Sequence, residues 1–285
     1  MPLELNKVLI NHFIPTQPPT VVDSILLSFR NCLELDSSDI LRALAPFSAS
    51  SAPGPDKTSN SVWKRVNRVA PCLIPGLPFP LVSLVFHPLS LQKADSIVID
   101  KPGKPSYNSP PSFPVIVLLQ TFSQMLESIM TRRLSSVARV TGLLDPHQCG
   151  SLAGLSTSDA CTTLSYKVKT LQMASCKVST LFLDIKGDFN NVNSTFLGCM
   201  RWHCGVNPYI VSWTQSFLTG RFCGLLFLGS PKVFSTASVS TPLGSPISLL
   251  LFVIYVSHHR MEIPTGLMLA YVDDFALSTS WPSYR

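Results

Sequence analysis

The residues of this chain best suited to do chemistry are carboxylates, and two of them, Asp273 and Asp274, stand side by side in "LAYVDDFALS" (269–278). Adjacent carboxylates repel, so a partly buried pair takes up a proton or binds a cation. The flanking runs "MLAYV" and "FALS" read as two β-strands, and a two-residue polar break between strands predicts a hairpin with both acids at its tip. A solvated acidic turn is the plain alternative, and the cation reading requires a third acid. "KVSTLFLDIKGDFNNVN" (177–193) offers one. Its pattern predicts a strand from Val178 to Ile185 that breaks at Gly187, with Asp184 at the apolar end. A carboxylate there is costly unless it is paired or bound to metal. Asp184 is distant from the hairpin in sequence, so the three acids meet only if the two strands lie adjacent in one sheet.

The elements that must position these acids can be read from pattern. "STPLGSPISLLLFVIYVS" (240–257) is a glycine turn leading into a buried helix. "TFSQMLESIMTRRLSSVARV" (121–140) is helical, with Phe122, Met125, Ile129 and Leu134 near helical spacing. "STSD" (156–159) resembles a capping box and opens a second helix, whose stripe of Ala160, Leu164, Val168 and Leu171 predicts core packing. "LDSSDILRALAPF" (35–47) predicts a short helix capped by Asp36 or Ser37, with Ile40, Leu41 and Leu44 on one face. The Ser/Pro/Gly loop "SASSAPGPDK" follows it. "SIVIDKPGKPSYNSPPSFPVIVLLQ" (96–120) reads as strand, basic turn, Pro-rich loop and apolar run.

Composition narrows the class. Charged residues make up 13% and apolar residues 46%, which favours a substantial core over extended disorder, and 285 residues suffice for one large domain or two lobes. A formal charge of +6 favours a polyanionic partner. Eight cysteines without a Cys-x-x-Cys pair argue against a zinc site or a disulfide framework. In "CMRWHC", Cys199, His203 and Cys204 suit a helix with buried thiols better than a tetrahedral site. Free thiols suit a reducing compartment. The N-terminus has no signal-peptide pattern, which points to nucleus or cytoplasm. A mean hydropathy of +0.29 and the proline-broken run at 70–91 keep a membrane protein as an alternative.

The order of strand with an acid, glycine-led helix and hairpin with two acids resembles the reverse transcriptases of non-LTR (LINE-like) retrotransposons. The likeness extends upstream through "APGPD" (52–56), "IVIDKPGKPSYNSP" (97–110), "LLQTFSQMLESIMTRRL" (118–134) and "QCGSLAGLSTSDA" (148–160). It covers about residues 35–280. A group II intron maturase or a telomerase subunit fits the "APGPD" and "KPGKP" segments less well.

What the resemblance implies is an α+β domain of right-hand polymerase type, with an antiparallel palm sheet packed on helices. The expected division is an N-terminal extension and leading helix at 1–44, fingers at 45–175, and a truncated palm at 176–285. No thumb is expected after Arg285, and no endonuclease lobe before residue 35. Asp184, Asp273 and Asp274 would be the catalytic acids. Asp184, the Ile185 carbonyl and Asp273 would hold two Mg²⁺ ions, with Mn²⁺ an alternative. Phe189, Pro242, Gly244, Ser245, Lys101 and Lys104 would contact the nucleotide. The implied partners are an RNA template, a DNA primer and deoxynucleoside triphosphates, with no membrane.

Departures from the family pattern cluster where substrates would bind. Pro114, Leu152 and Leu155 stand at positions that are usually arginine, and a guanidinium that grips phosphate bidentately has no substitute in Leu or Pro. Asp188 replaces a small residue before Phe189, Asn190 an acid, Leu243 a glutamine and Lys57 a glycine. These changes imply an impaired polymerase. The alternative reading is a catalytically inactive retroelement remnant, at most a weak RNA-binding module.

Overall fold

The computed structural model describes residues 37–283 apart from 75, 84, 99–102, 104–114, 153, 186–191, 193–196, 198–199, 201–205, 227–232, 238–240, 243 and 259–265. The helices are α1 (Ser37–Leu44), α2 (Asn60–Val69), α3 (Pro78–Ser83), α4 (Thr121–Val140), α5 (Thr157–Met173), α6 (Pro208–Leu218) and α7 (Pro246–His258). The strands are β1 (Lys93–Val98), β2 (Val115–Leu119), β3 (Cys176–Asp184), β4 (Arg221–Leu226), β5 (Val233–Ala237), β6 (Gly266–Tyr271) and β7 (Asp274–Pro282). This is the expected α+β class.

Two helices organise the core: α7, which is apolar over most of its surface, and α4, which buries a broad face against it. In α7, Ile247, Leu250, Leu251, Phe252, Val253 and Ile254 are all buried, which a helix enclosed on every side requires. It packs along α4, whose Leu126, Met130, Leu134 and Val137 meet it in the main core. Trp213 and Phe217 of α6 stack there at 5.6 Å. α6 starts where Asn207 accepts the Tyr209 N–H at 2.9 Å and Pro208 fills the first turn. A smaller cluster of Ile40, Ala43 and Leu44 with Met125 and Ile129 docks α1 onto α4. The sequence placed Leu41 on that face, but Leu41 is 55% exposed. Its position, one residue from Ile40 on a 3.6-residue period, turns it away from α4, and Ala43 takes the place beside Leu44.

The strands form two sheets. One has the order β2-β1-β4-β5, in which β1 pairs antiparallel with β2 and parallel with β4. The other, β3-β7-β6, is antiparallel throughout, with β3 on an edge. The first sheet takes two strands from each side of residue 175, so fingers at 45–175 and palm at 176–285 would have to share it.

The Ser156 capping box is present: the Asp159 N–H reaches Ser156 Oγ at 3.3 Å, and the Ser156 N–H reaches Asp159 Oδ2 at 2.8 Å. The core packing expected of the α5 stripe needs correction. Ala160, Leu164, Val168 and Leu171 are only half-buried, and no residue of α5 is fully buried. α5 lies on the open side of β3 and β6, where nothing among the described residues covers its outer surface. Gly187 and the "CMRWHC" cysteines and histidine lie outside the described residues.

Candidate active site

The hairpin and the strand expected to carry the acids are neighbours. β7 pairs with β3 along its whole length, and Asp274 stands directly opposite Asp184. The Ile185 N–H donates to the Asp273 carbonyl at 3.2 Å, which makes Asp184–Asp274 a non-hydrogen-bonded rung. Side chains on such a rung share one face, with Cβ atoms about 4.5–5.5 Å apart. Farther along the same face Thr180 and Ser278 form the corresponding rung, and their hydroxyls bond at 2.9 Å. Like charges opposite one another at the Asp rung repel, and both aspartates are exposed to solvent while Asp273 is half-buried.

The turn of the hairpin is set one residue earlier than the sequence suggested. Tyr271 pairs with Asp274, so the two turn residues are Val272 and Asp273, and Asp274 is the first residue of β7. Val272 adopts φ +62°, a left-handed conformation that costs a non-glycine residue about 1–2 kcal/mol. The segment 147–149 supports this turn from outside. Gln148 Oε1 accepts the Val272 N–H at 3.0 Å and the Gly150 N–H at 2.9 Å, and Gln148 Nε2 donates to the Val272 carbonyl at 3.4 Å. Beside the acids, between α5 and the sheet, lies a cavity of about 290 Å³ whose lining includes Asp274, Tyr271, Phe182 and Leu164.

The second group of expected site residues lies at the start of α7. The Ser245 N–H donates to the Pro242 carbonyl at 3.2 Å, closing a turn in which Gly244 has φ +91°. Glycine suits that conformation, and a Cβ there would stand 3.4 Å from the Val117 carbonyl of β2. The Ser245 side chain points inward, where its hydroxyl donates to Glu127 Oε2 at 2.5 Å. The Ser123 hydroxyl donates to Glu127 Oε1 at the same distance, and His87 Nε2 lies 3.2 Å from Ser123 Oγ. Burial pushes the Glu127 carboxyl up, opposed by the Arg221 charge and the two hydroxyls. Burial, then Arg221, brings His87 down to about 3, so it is neutral at neutral pH. The sequence pointed to Ser245 only as a nucleotide contact and gave Glu127 no role. An acid inside an apolar helix pattern, as Glu127 is in "MLESIM", was the available signal.

The remaining expectations divide between described and undescribed residues. Leu155, at a position where the resembled family has arginine, is 44% exposed, and Leu152 is half-buried. Lys57, in place of a loop glycine, has φ +55°. Lys101, Lys104, Pro114, Asp188, Phe189, Asn190 and Leu243 lie outside the described residues. A single sequence carries no signal that the Gln148 amide, two residues before Gly150, would reach a turn so far away.

Carboxylate oxygens are hard ligands of the kind Mg²⁺ prefers, so the donor types at 184, 273 and 274 fit such an ion. The strands bring the three backbones together, while among the described residues no three His, Cys, Asp or Glu side chains already converge to hold a metal.

Fold and site together define an α+β domain with three aspartates gathered on one antiparallel sheet. The reverse transcriptase (RNA-dependent DNA polymerase) family profile matches residues 99–283, and the chain belongs to that family. It is similar to the probable RNA-directed DNA polymerase from transposon X-element of Drosophila melanogaster, 26% identical over 79% of this chain and 24% of that protein. It is also similar to the probable RNA-directed DNA polymerase from transposon BS of the same organism, 24% identical over 84% of this chain and 27% of that protein. The chain thus spans about a quarter of the length of these curated relatives. The likeness to retrotransposon reverse transcriptases read from the sequence is borne out. Polymerases of this family use divalent metal ions. No helix among the described residues is long and apolar enough to cross a membrane, and the run at 247–257 is the buried α7.

Proposed function

We propose that this chain is the fingers and palm of a right-hand polymerase that adds deoxynucleotides to a primer 3′-hydroxyl on an RNA template. The observation that carries the reading is the Asp184–Asp274 rung with Asp273 in the adjoining turn, inside the span matched by the family. Asp184, the Ile185 carbonyl and Asp273 would hold two Mg²⁺ ions, with Asp274 adding negative charge beside them. When bound, the ions would supply Lewis acidity to the attacking hydroxyl and positive charge to the leaving pyrophosphate. The Pro242–Ser245 turn, fixed against β2 and Glu127, lies against the incoming base pair through its backbone and Pro242. Phe189 crowds the sugar 2′ position, and Lys101 and Lys104 contact phosphate.

The substitutions at the substrate positions support an impaired enzyme. Leu155 is exposed where a guanidinium would meet template phosphate, so the chain grips nucleic acid weakly. The same observation favours the second reading, a catalytically inactive remnant that binds RNA weakly. Primer extension separates the two: the purified chain is incubated with poly(rA), oligo(dT), dTTP and Mg²⁺ beside an Asp273→Asn control. Product that is lost in the control is the expected result. No product from a chain shown to be folded overturns the catalytic reading and leaves the remnant.

A further inference from the structure

The turn that carries Asp273 is strained at Val272, and groups from outside the hairpin bond to it there. A β-branched residue at φ +62° is rare because its side chain crowds the backbone, and the relaxed alternative is a rotation of the adjoining peptides. That rotation would swing the Asp273 carbonyl off the Ile185 N–H and turn Asp273 away from Asp184. Three features oppose it. Gln148, 2% exposed, uses both ends of its side-chain amide on the Val272 peptide groups. Its Oε1 is in turn oriented by the Gly150 N–H at 2.9 Å. The backbone on either side of Gln148 is fixed to β6, since the Ala270 N–H donates to the His147 carbonyl at 3.1 Å and the Cys149 N–H donates to the Ala270 carbonyl at 2.8 Å. Gly150 permits the approach: a Cβ there would come within 2.5 Å of the Val272 nitrogen and Cγ2.

We infer that Gln148 is a positioning residue for the acid-bearing turn, its amide holding Val272 in the left-handed conformation and thereby fixing Asp273 against Asp184. The inference rests on the reading of these acids as a metal site. An apolar side chain of the same length would fill the space without supplying the acceptor and the donor. The Val272 N–H and carbonyl would then lose their partner, and the turn would relax.

The test is Mn²⁺ binding to the full chain without nucleotide, followed by electron paramagnetic resonance, with circular dichroism as the check on folding. Gln148→Met should weaken binding about tenfold, the equivalent of the left-handed cost of a non-glycine residue. On top of Val272→Gly the same change should weaken it less than about twofold, because glycine holds a positive φ without help. Equal losses in the two backgrounds would show a packing role alone and overturn the inference. Unchanged binding in Gln148→Met, where Asp273→Asn loses it, would overturn the clamp and keep the acids. Unchanged binding in Asp273→Asn would overturn the metal site, and the clamp with it. Should Gln148→Met not fold, Gln148→Asn keeps a buried amide one methylene short of Val272 and carries the same expectations.

Discussion

Ser245 donates a hydrogen bond from its hydroxyl to Glu127 across 2.5 Å, tying the turn before α7 to α4 inside the core. The carboxylate has no solvent contact, and its other oxygen is met by Ser123. A buried charge of this kind is tolerable only with strong donors and a cation nearby, which here are the two hydroxyls and Arg221. Arg221 is itself held by the Phe217 carbonyl at 3.0 Å and lies 4.4 Å above the Phe217 ring.

Removing Glu127 should therefore be severe. Glu127→Ala leaves two buried hydroxyls without their acceptor and the nearby Arg221 without its counter-charge, and is expected to cost about 3 kcal/mol in urea unfolding. Glu127→Gln keeps an acceptor and sheds the charge, so it should cost about 1 kcal/mol. Equal effects of the two would show that volume rather than charge is what the site requires.

His87 gives the fold a pH dependence whose sign is defined. Its folded value of about 3 lies below the ordinary 6.5, so between these the unfolded chain binds a proton that the folded chain refuses. Stability is full above pH 6.5 and is lost as pH falls, by about 1.4 kcal/mol per unit from this group alone. Glu127, raised by burial, works the other way: stability grows as pH falls through its folded value and stops growing near the ordinary 4.5. Urea midpoints at pH 7, 6, 5 and 4 should fall for the native chain relative to His87→Phe, which keeps an aromatic ring against Trp213 and Phe217. A constant difference between the two across this range would show that His87 does not titrate on unfolding.

Asp184 and Asp274 oppose one another without a bond between them, so the site is built at a small cost to stability. Asp184→Asn should raise stability by up to about 0.5 kcal/mol at low salt, and the gain should shrink as added salt screens the pair. Thermal melts at two ionic strengths measure this, and a gain that does not depend on salt would refute the repulsion.

Lys57 occupies a left-handed position at φ +55°. Lys57→Gly removes that strain while adding chain entropy to the unfolded state, so the net gain is expected to be about 0.5–1 kcal/mol. A lower melting temperature for the variant would mean that the lysine makes contacts outweighing its backbone.

Local patterns with a strong chemical cause were legible in the sequence. The α4 and α7 helices, the Ser156 capping box, the Gly244 turn and the acid hairpin all follow from spacing and turn chemistry. The hairpin turn was displaced by one residue because "VDD" reads as a polar break at the two acids, whereas the ladder with β3 draws Asp274 into the strand. What could not be read was tertiary. The side of α1 that Leu41 occupies, the incomplete burial of α5 and the reach of Gln148 to Val272 depend on which elements become neighbours, and no periodicity encodes that.

The β3–β7 ladder joins residues roughly ninety positions apart, which makes it one of the most expensive contacts in loop-closure entropy that the chain forms. During synthesis Asp184 leaves the ribosome long before its counterpart exists, and strand β3 must wait without its β7 partner. The three acids are thus assembled late in folding, after the helical core around α4 has had time to form. The step that completes this site is also the step at which the nascent chain is most exposed to mispairing along the β3 edge.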